Sequence, residues 1–220
     1  FAIRRQRQMC IRDRNKYIVE FIGTFFLILI IGLTGNPVAI GLGLSVLIYM
    51  GAHISGAHYN PAVTLAMFLN EEISKKELFS YISSQFLGAF VATFVINILG
   101  NNNFSVVPGT SDIGNVLISE ILFTFLLVFV ILNVALNKKI KGNQYFGIAI
   151  GLTVTIGAFS VGDISGAVFN PAVSFGPSIY GLFDFQIADS NISSDFFIYY
   201  LITGIVGSVS ASYLYKKFIK

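Results

Sequence analysis

Long apolar stretches alternate with short polar connections along most of this 220-residue chain. Six of the stretches approach or exceed the length that a helix needs to cross a membrane, and charged residues seldom interrupt them. The pattern predicts an all-α membrane protein with six spans at residues 17–33, 38–52, 78–99, 115–136, 145–161 and 196–215.

Two further apolar pieces, residues 60–69 and 170–182, are too short to cross, and each begins with Asn-Pro-Ala. Proline is favourable in the first turn of a helix because its missing N–H would have no partner there. Each piece therefore reads as a half-helix that starts inside the membrane after a glycine-containing loop. Irregular backbone at that depth is tolerated only where it lines a cavity or is packed in protein.

The half-helices belong to a duplicated unit. The segment HISGAHYNPAVT at 53–64 is matched by DISGAVFNPAVS at 163–174, and Glu20 and Glu120 occupy matching places in spans one and four. We predict a first repeat over residues 16–104 and a second over 105–220. With three spans in each half, the second repeat is inverted relative to the first, so the two Asn-Pro-Ala turns meet near the middle of the bilayer.

Composition agrees with a membrane location: 55% of the residues are hydrophobic and 11% are charged. The single cysteine, Cys10, gives neither an internal disulfide nor a metal-ligand set. Nucleophile–base pairs, phosphate-binding loops and metal-ligand clusters are not evident in the sequence. We therefore expect no enzyme activity, cofactor or metal.

The basic residues indicate the orientation. All 14 Lys and Arg lie in residues 1–16, 75–76, 138–141 and 216–220. The other connections carry aspartates instead, namely Asp112, Asp184, Asp189 and Asp195. Because basic residues mark cytoplasmic loops, both termini are predicted to be cytoplasmic in a multi-pass protein of the cell (plasma) membrane. This setting disfavours nucleic acid as the partner of the basic N-terminus and leaves the lipid bilayer.

Residues 1–15 form a basic tail with two interpretations. The tract MCIRDR at 9–14 resembles the translation of a transposase adaptor used in sequencing libraries, which would make the tail an artefact. A natural cytoplasmic tail is the alternative. Neither interpretation includes a cleaved signal peptide.

With its paired half-helices, its Glu in spans one and four and its inverted layout, the chain resembles the aquaporin (major intrinsic protein) family from about residue 16 to 217. The resemblance implies a homotetramer with a passive pore in each protomer for water and small uncharged solutes. It also implies roles for the motif residues. The residues at the pore centre would be Asn60, Pro61, Ala62, Asn170, Pro171 and Ala172. Glu20 and Glu120 would support the loops. His53 and His58 would lie in the inner vestibule, and Asp163 would lie at the outer mouth.

The chain departs from the family at its outer filter. Most members carry Arg after the second Asn-Pro-Ala, and this chain has Val173. Counting from each Asn by the family spacing places the other filter residues at Ile40, Ala158 and Ala167. Such a filter has no charge, aromatic ring or side-chain donor. We therefore expect solutes larger than water, such as glycerol, urea, ammonia, undissociated acids or metalloid hydroxides, unless an aromatic residue such as Phe159 narrows the gap.

Other interpretations stay open at this point. The two Asn side chains would also cap their helices in a protein with no pore. Glu20 and Glu120 would serve as proton-relay groups in a coupled secondary transporter, and a closed-pore structural membrane protein is a third possibility. Two histidines spaced like His53 and His58 are also found in metal or pH-sensing sites, and a loop-capping role is open for Asp163.

Overall fold

Helices account for nearly all of the backbone in the computed structural model, which describes residues 2–100, 104–183 and 191–219, with side chains for 13–100, 104–181 and 196–219. Asp184, Asp189 and Asp195, expected in an outer connection, lie outside the described side chains. In chain order the helices are α1 Ala2–Thr34, α2 Pro37–Ser55, α3 Pro61–Leu69, α4 Lys75–Ile98, α5 Ile113–Ile131, α6 Phe146–Ser165, α7 Pro171–Phe183 and α8 Asn191–Phe218.

The six predicted spans are confirmed. Six helical segments are long and apolar enough to cross a membrane: Asp13–Thr34, Pro37–Ser55, Lys75–Ile98, Ile113–Leu136, Phe146–Ser165 and Phe196–Phe218. The second and fifth end about one turn later than predicted. Each is closed by a glycine in the left-handed region, Gly56 at φ 90° and Gly166 at φ 84°, which is a common way for a helix to end.

The predicted half-helices correspond to α3 and α7. Each has proline as its first residue, after an Asn whose side-chain oxygen accepts a hydrogen bond from the backbone N–H of the following alanine. The distances are 2.8 Å for Asn60 to Ala62 and 3.0 Å for Asn170 to Ala172. The Asn-Pro-Ala sequence thus encodes both the cap and the start of each half-helix.

The packing follows the internal repeat. Helix α1 packs on α4 and α5 packs on α8, while α2 and α6 pack together across the repeats. The half-helices also cross the repeats, since α3 contacts α8 and α7 contacts α4 as well as α8. The loops before α3 and α7 are therefore enclosed by helices of both halves.

Two matched glycines allow close helix crossings, one in each repeat. A Cβ at Gly88 of α4 would lie 2.6 Å from the backbone oxygen of Phe21 in α1. A Cβ at Gly207 of α8 would lie 2.8 Å from the Thr124 Cβ and 3.0 Å from the Phe125 backbone nitrogen in α5. Small residues at such crossings let membrane helices pack backbone to backbone.

Gly88→Ala is expected to lower stability by about 1–3 kcal/mol, since the new methyl group meets backbone that must move. Thermal unfolding in detergent measures the change. Gly162→Ala is the matched control, because a Cβ at Gly162 meets nothing within 4 Å. Equal melting temperatures for the two variants would contradict the tight α1–α4 crossing.

Candidate functional site

A cavity of about 1200 Å³ lies between the two repeats. Its wall includes Lys16 and Lys141 at one end and Val107 and Asp163 at the other. Among the described residues, every span helix except α8 contributes to the wall. The cavity therefore extends along the bundle and is the candidate site.

Asn60 and Asn170 both line the cavity, although each side chain is largely covered, with 5% and 6% exposed. Each Nδ2 donates one hydrogen bond of 2.9 Å to a backbone carbonyl of the other repeat, Asn60 to Phe169 and Asn170 to Tyr59. An amide nitrogen has two hydrogens, so each Asn keeps one N–H for a molecule in the cavity. The N-termini of α3 and α7 add positive potential at the same place.

The loop before each half-helix contributes acceptors. Ala57 and Tyr59 have positive φ angles of 53° and 50°, and Ala167 and Phe169 have 51° and 48°. Residues 56–58 and 166–168 line the cavity, and their backbone carbonyls accept no hydrogen bond from the described part of the chain. Non-glycine residues seldom adopt this conformation, and it persists where surrounding contacts enforce it.

The first loop is held by Glu20, which is fully buried. Its Oε1 accepts hydrogen bonds from Ser55 Oγ at 2.7 Å and from the His58 backbone N–H at 3.0 Å. Its Oε2 accepts from the Tyr59 backbone N–H and from Gln85 Nε2, both at 2.8 Å. These donors give the buried carboxylate the partners that it requires.

Glu120 holds the second loop in the same way, by accepting hydrogen bonds from it. Its carboxylate accepts from Ser165 Oγ at 2.6 Å, from the Val168 N–H at 2.9 Å and from the Phe169 N–H at 2.8 Å. Both carboxylates are thus engaged with loop donors, which is the geometry expected of loop supports. A proton-relay role would require carboxylates on the cavity wall, and neither Glu lines it.

Sequence reasoning missed a second pair of loop supports. Tyr81 Oη donates to the Ser55 carbonyl at 2.8 Å, and Tyr200 Oη donates to the Ser165 carbonyl at 2.6 Å. Tyr81 lies seven residues before Gly88, and Tyr200 lies seven residues before Gly207. This repeated spacing could have indicated the pair from the sequence. The two serines themselves were visible in the duplicated motif.

The two histidines have different surroundings in the structure. His58 is buried and lines the cavity, and its Nδ1 lies 3.2 Å from Thr64 Oγ1. His53 is exposed and is not among the residues that line the cavity, so its place in the vestibule stays a prediction. Helix α2 continues past it, and Ile48, Ala52 and Ser55 form the face that lines the cavity. The described residues contain no cluster suited to a metal ion.

The expected filter residues Ile40, Ala158, Ala167 and Val173 all line the cavity. Phe159 does not narrow it, because this side chain is 66% exposed and points away from the cavity wall. An aromatic residue that sequence reasoning did not consider, Phe104, lines the cavity and packs against the cluster that contains Val173. Asp163 is exposed on the wall at the same end.

Comparison with known proteins agrees with this arrangement. Residues 11–215 match the family model described as "Major intrinsic protein". The chain belongs to the major intrinsic protein family. It is 37% identical over 183 residues to a probable aquaporin NIP4-2 of Arabidopsis thaliana, across 75% of this chain and 64% of that protein. The chain therefore spans slightly less than two thirds of the length of that relative.

In two further comparisons the match covers a larger share of the other protein. A glycerol uptake facilitator protein-like 6 of Lactiplantibacillus plantarum is 35% identical over 187 residues, across 76% of this chain and 84% of the facilitator. The X-ray structure of the aquaglyceroporin from Plasmodium falciparum superposes with a TM-score of 0.81 at 24% identity, across 94% of this chain and 97% of that one. The superposition supports the predicted fold, with its six spans and two half-helices.

Proposed function

We propose that this major intrinsic protein is a passive channel for water and small neutral solutes, which pass through the cavity between its repeats. The observation that carries the proposal is the pair of Asn side chains on the cavity wall, each with one N–H left for a passing molecule. A solute oxygen accepts from these donors, whereas a cation meets two positive helix ends and a desolvation cost. The names of the relatives, an aquaporin and a glycerol uptake facilitator, support the same class of solutes.

The site residues then take the following roles. Asn60 and Asn170 are the central donors, and the Pro-Ala pairs that follow them set their geometry. Glu20 and Glu120 hold the loops, with His58 in one vestibule and Asp163 at the opposite mouth. The filter consists of Ile40, Ala158, Ala167 and Val173.

The protomer is proposed to sit in the plasma membrane with both termini cytoplasmic, as part of a homotetramer with one pore per chain. Its two repeats are residues 16–104 and 105–220. Lys16 forms a 2.7 Å ion pair with Glu77 at the start of α4, which places the first and second basic regions at the same end of the bundle. A channel of this kind needs neither catalytic groups nor a cofactor.

Stopped-flow light scattering on proteoliposomes tests the proposal. Water, glycerol and urea permeabilities are compared with those of empty vesicles and of vesicles containing Ala158→Trp, which fills the filter from α6. We expect flux above both controls. Flux indistinguishable from empty vesicles would refute the channel and favour a closed structural protein, while flux that depends on an ion gradient would favour a coupled transporter.

Asn170→Asp is expected to weaken cation exclusion, because it places a negative charge between the two positive helix ends. The carboxylate still caps α7 but cannot donate to the Tyr59 carbonyl, so the melting temperature in detergent is measured beside the current. Membrane current in planar bilayers or oocytes should rise above the background of the parent channel, by about tenfold for each 1.4 kcal/mol removed from the barrier.

The matched control is Asn36→Asp. Asn36 caps α2 through its side-chain oxygen, at 2.9 Å from the Val38 nitrogen, and lies off the cavity wall. This variant adds the same charge away from the two helix ends, although its neighbours Gly35 and Pro37 line the cavity. Unchanged current for Asn170→Asp would count against its central role, as would equal currents in the two variants.

A further inference from the structure

A chain of buried hydrogen bonds connects Glu20 to the ring of His58 on the cavity wall. Gln85 Nε2 donates to Glu20 Oε2 and to Thr64 Oγ1, each at 2.8 Å, and Thr64 Oγ1 lies 3.2 Å from His58 Nδ1. Because a carboxylate only accepts hydrogen bonds, the Gln85 group that faces Glu20 is the amide nitrogen and not the oxygen. Both amide hydrogens of Gln85 are therefore used, and one of them occupies a lone pair of Thr64 Oγ1.

The hydroxyl hydrogen of Thr64 has one acceptor that cannot be exchanged for a donor. Thr64 Oγ1 donates to the Asn60 carbonyl at 3.0 Å, and a carbonyl has no hydrogen to give back. The remaining lone pair of Thr64 Oγ1 then faces His58 Nδ1. All of these contacts are hydrogen bonds only if Nδ1 carries the ring proton, and in a neutral imidazole Nε2 is then an unprotonated acceptor.

Nε2 lies at the cavity. His58 lines the cavity, and a Cβ at Gly56, another residue of the wall, would lie 3.1 Å from Nε2. Within the described part of the chain Nε2 has no hydrogen-bond partner, and it is not sealed from the cavity. Tyr81 packs on the ring with the centroids 4.9 Å apart, and its own hydroxyl is bonded to the Ser55 carbonyl. The ring is therefore held so that a donor in the cavity can reach Nε2.

The second repeat does without this chain of hydrogen bonds. Its residues at the places of His58, Thr64 and Gln85 are Val168, Ser174 and Gly204. Glu120 nevertheless holds the second loop with Ser165 and two backbone N–H groups. A loop of this kind thus needs no amide partner for its carboxylate, so supporting the loop does not account for Gln85 and Thr64.

We infer that Thr64, oriented by Gln85, holds the neutral His58 ring as its Nδ1–H tautomer, so that this end of the cavity presents an unprotonated imidazole nitrogen to solutes. The role of that nitrogen rests on the proposed channel function. The backbone carbonyls of residues 56–58 line the same stretch and accept no hydrogen bond from described residues. A water molecule whose oxygen faces the free N–H of Asn60 then finds only acceptors for its hydrogens beside the loop, whereas a proton on Nε2 would place a donor in that row.

Solid-state NMR of protein with isotope-labelled histidine in lipid bilayers observes the ring nitrogens directly. The chain has two histidines, so the variant His53→Asn leaves His58 as the only labelled ring. Protonated and unprotonated ring nitrogens have well-separated chemical shifts, and the coupling to Cδ2 identifies Nε2. Spectra are recorded at about pH 8, where an ordinary histidine ring is neutral.

We expect a protonated Nδ1 and an unprotonated Nε2 that receives magnetisation from water. Thr64→Val should move the proton to Nε2, because a buried N–H without an acceptor is costly and water in the cavity accepts from Nε2. Thr64→Ser keeps the hydroxyl and should keep the parent shifts. Thr93→Val is the matched control, since Thr93 Oγ1 donates to the Ala89 carbonyl at 3.0 Å but lies off the cavity wall.

A parent ring protonated on Nε2 would overturn the inference, and this spectrum alone decides if Thr64→Val does not fold. Shifts in Thr64→Val that equal those of the parent would also overturn it, as would an Nε2 that receives no magnetisation from water. Water flux through the same proteoliposomes reports on the proposed function separately. A parent with the Nδ1–H ring and no flux would refute the channel and leave the tautomer in place.

Discussion

Glu120→Gln is expected to destabilise the protein by about 3 kcal/mol, the cost of leaving buried donors without an acceptor. The Glu120 side chain is 1% exposed, and its two oxygens accept from Ser165, Val168 and Phe169. Glutamine keeps one acceptor oxygen and turns an NH₂ group toward a donor. The second loop then loses its support, so water flux in proteoliposomes should fall together with the melting temperature in detergent.

Glu71→Gln is the matched control, because Glu71 is an exposed carboxylate on the short connection between α3 and α4. This variant should melt like the parent and conduct like it. If Glu120→Gln also behaves like the parent, the carboxylate does not hold the loop. A selective loss of proton-dependent transport with unchanged stability would instead favour the relay role.

Val173→Arg is expected to reduce glycerol and urea permeability at least about tenfold more than water permeability, the scale that one steric or polar change in a binding site produces. The long cationic side chain would extend from the first turn of α7 into a space now bounded by Ile40 and Ala158. Water is smaller than either solute and accepts readily from a guanidinium group. Stopped-flow light scattering with each solute measures the three permeabilities.

Val173→Leu separates bulk from charge, since leucine enlarges the side chain without adding a donor. It should narrow the pore for glycerol by less than arginine does. Equal loss of water and glycerol in Val173→Arg would remove Val173 from the filter, whatever the leucine variant shows.

Much of the fold was predictable because the same sequence motif occurs in both halves of the chain. The Asn-Pro-Ala turns favour a helix that starts at Pro61 and Pro171. Proline has no N–H that would need a partner in the first turn, and the preceding Asn side chain accepts a hydrogen bond from the backbone N–H of the alanine. The place of Glu20 and Glu120 was predictable for a similar reason, because a carboxylate in an apolar span needs donors and the re-entrant loops have them. The helix ends at Ser55 and Ser165 were missed, since glycine is frequent in these spans and does not mark a cap by itself.

Contacts without a repeated signal could not be predicted. Gln85 Nε2 donates to Glu20 and also to Thr64 Oγ1, each at 2.8 Å, but a polar residue in α4 gives no indication of its partners in sequence. Phe104 belongs to a connection whose course depends on the helices around it, so its place on the cavity wall follows from tertiary structure alone. Family spacing placed Ile40 and Ala158 on the wall because α2 and α6 run without interruption to their capping glycines.

The reciprocal bonds between the two Asn-Pro-Ala turns have a consequence for biogenesis. Asn60 donates to the carbonyl of Phe169, and Asn170 donates to that of Tyr59, so each turn is completed only by the other. A ribosome delivers the first turn more than a hundred residues before the second. Helix α8, which also packs on α3, is synthesised later than the second turn. A nascent chain therefore holds an unfinished polar loop in the membrane until α8 has been made, and the cavity between the repeats is completed only when both halves are present.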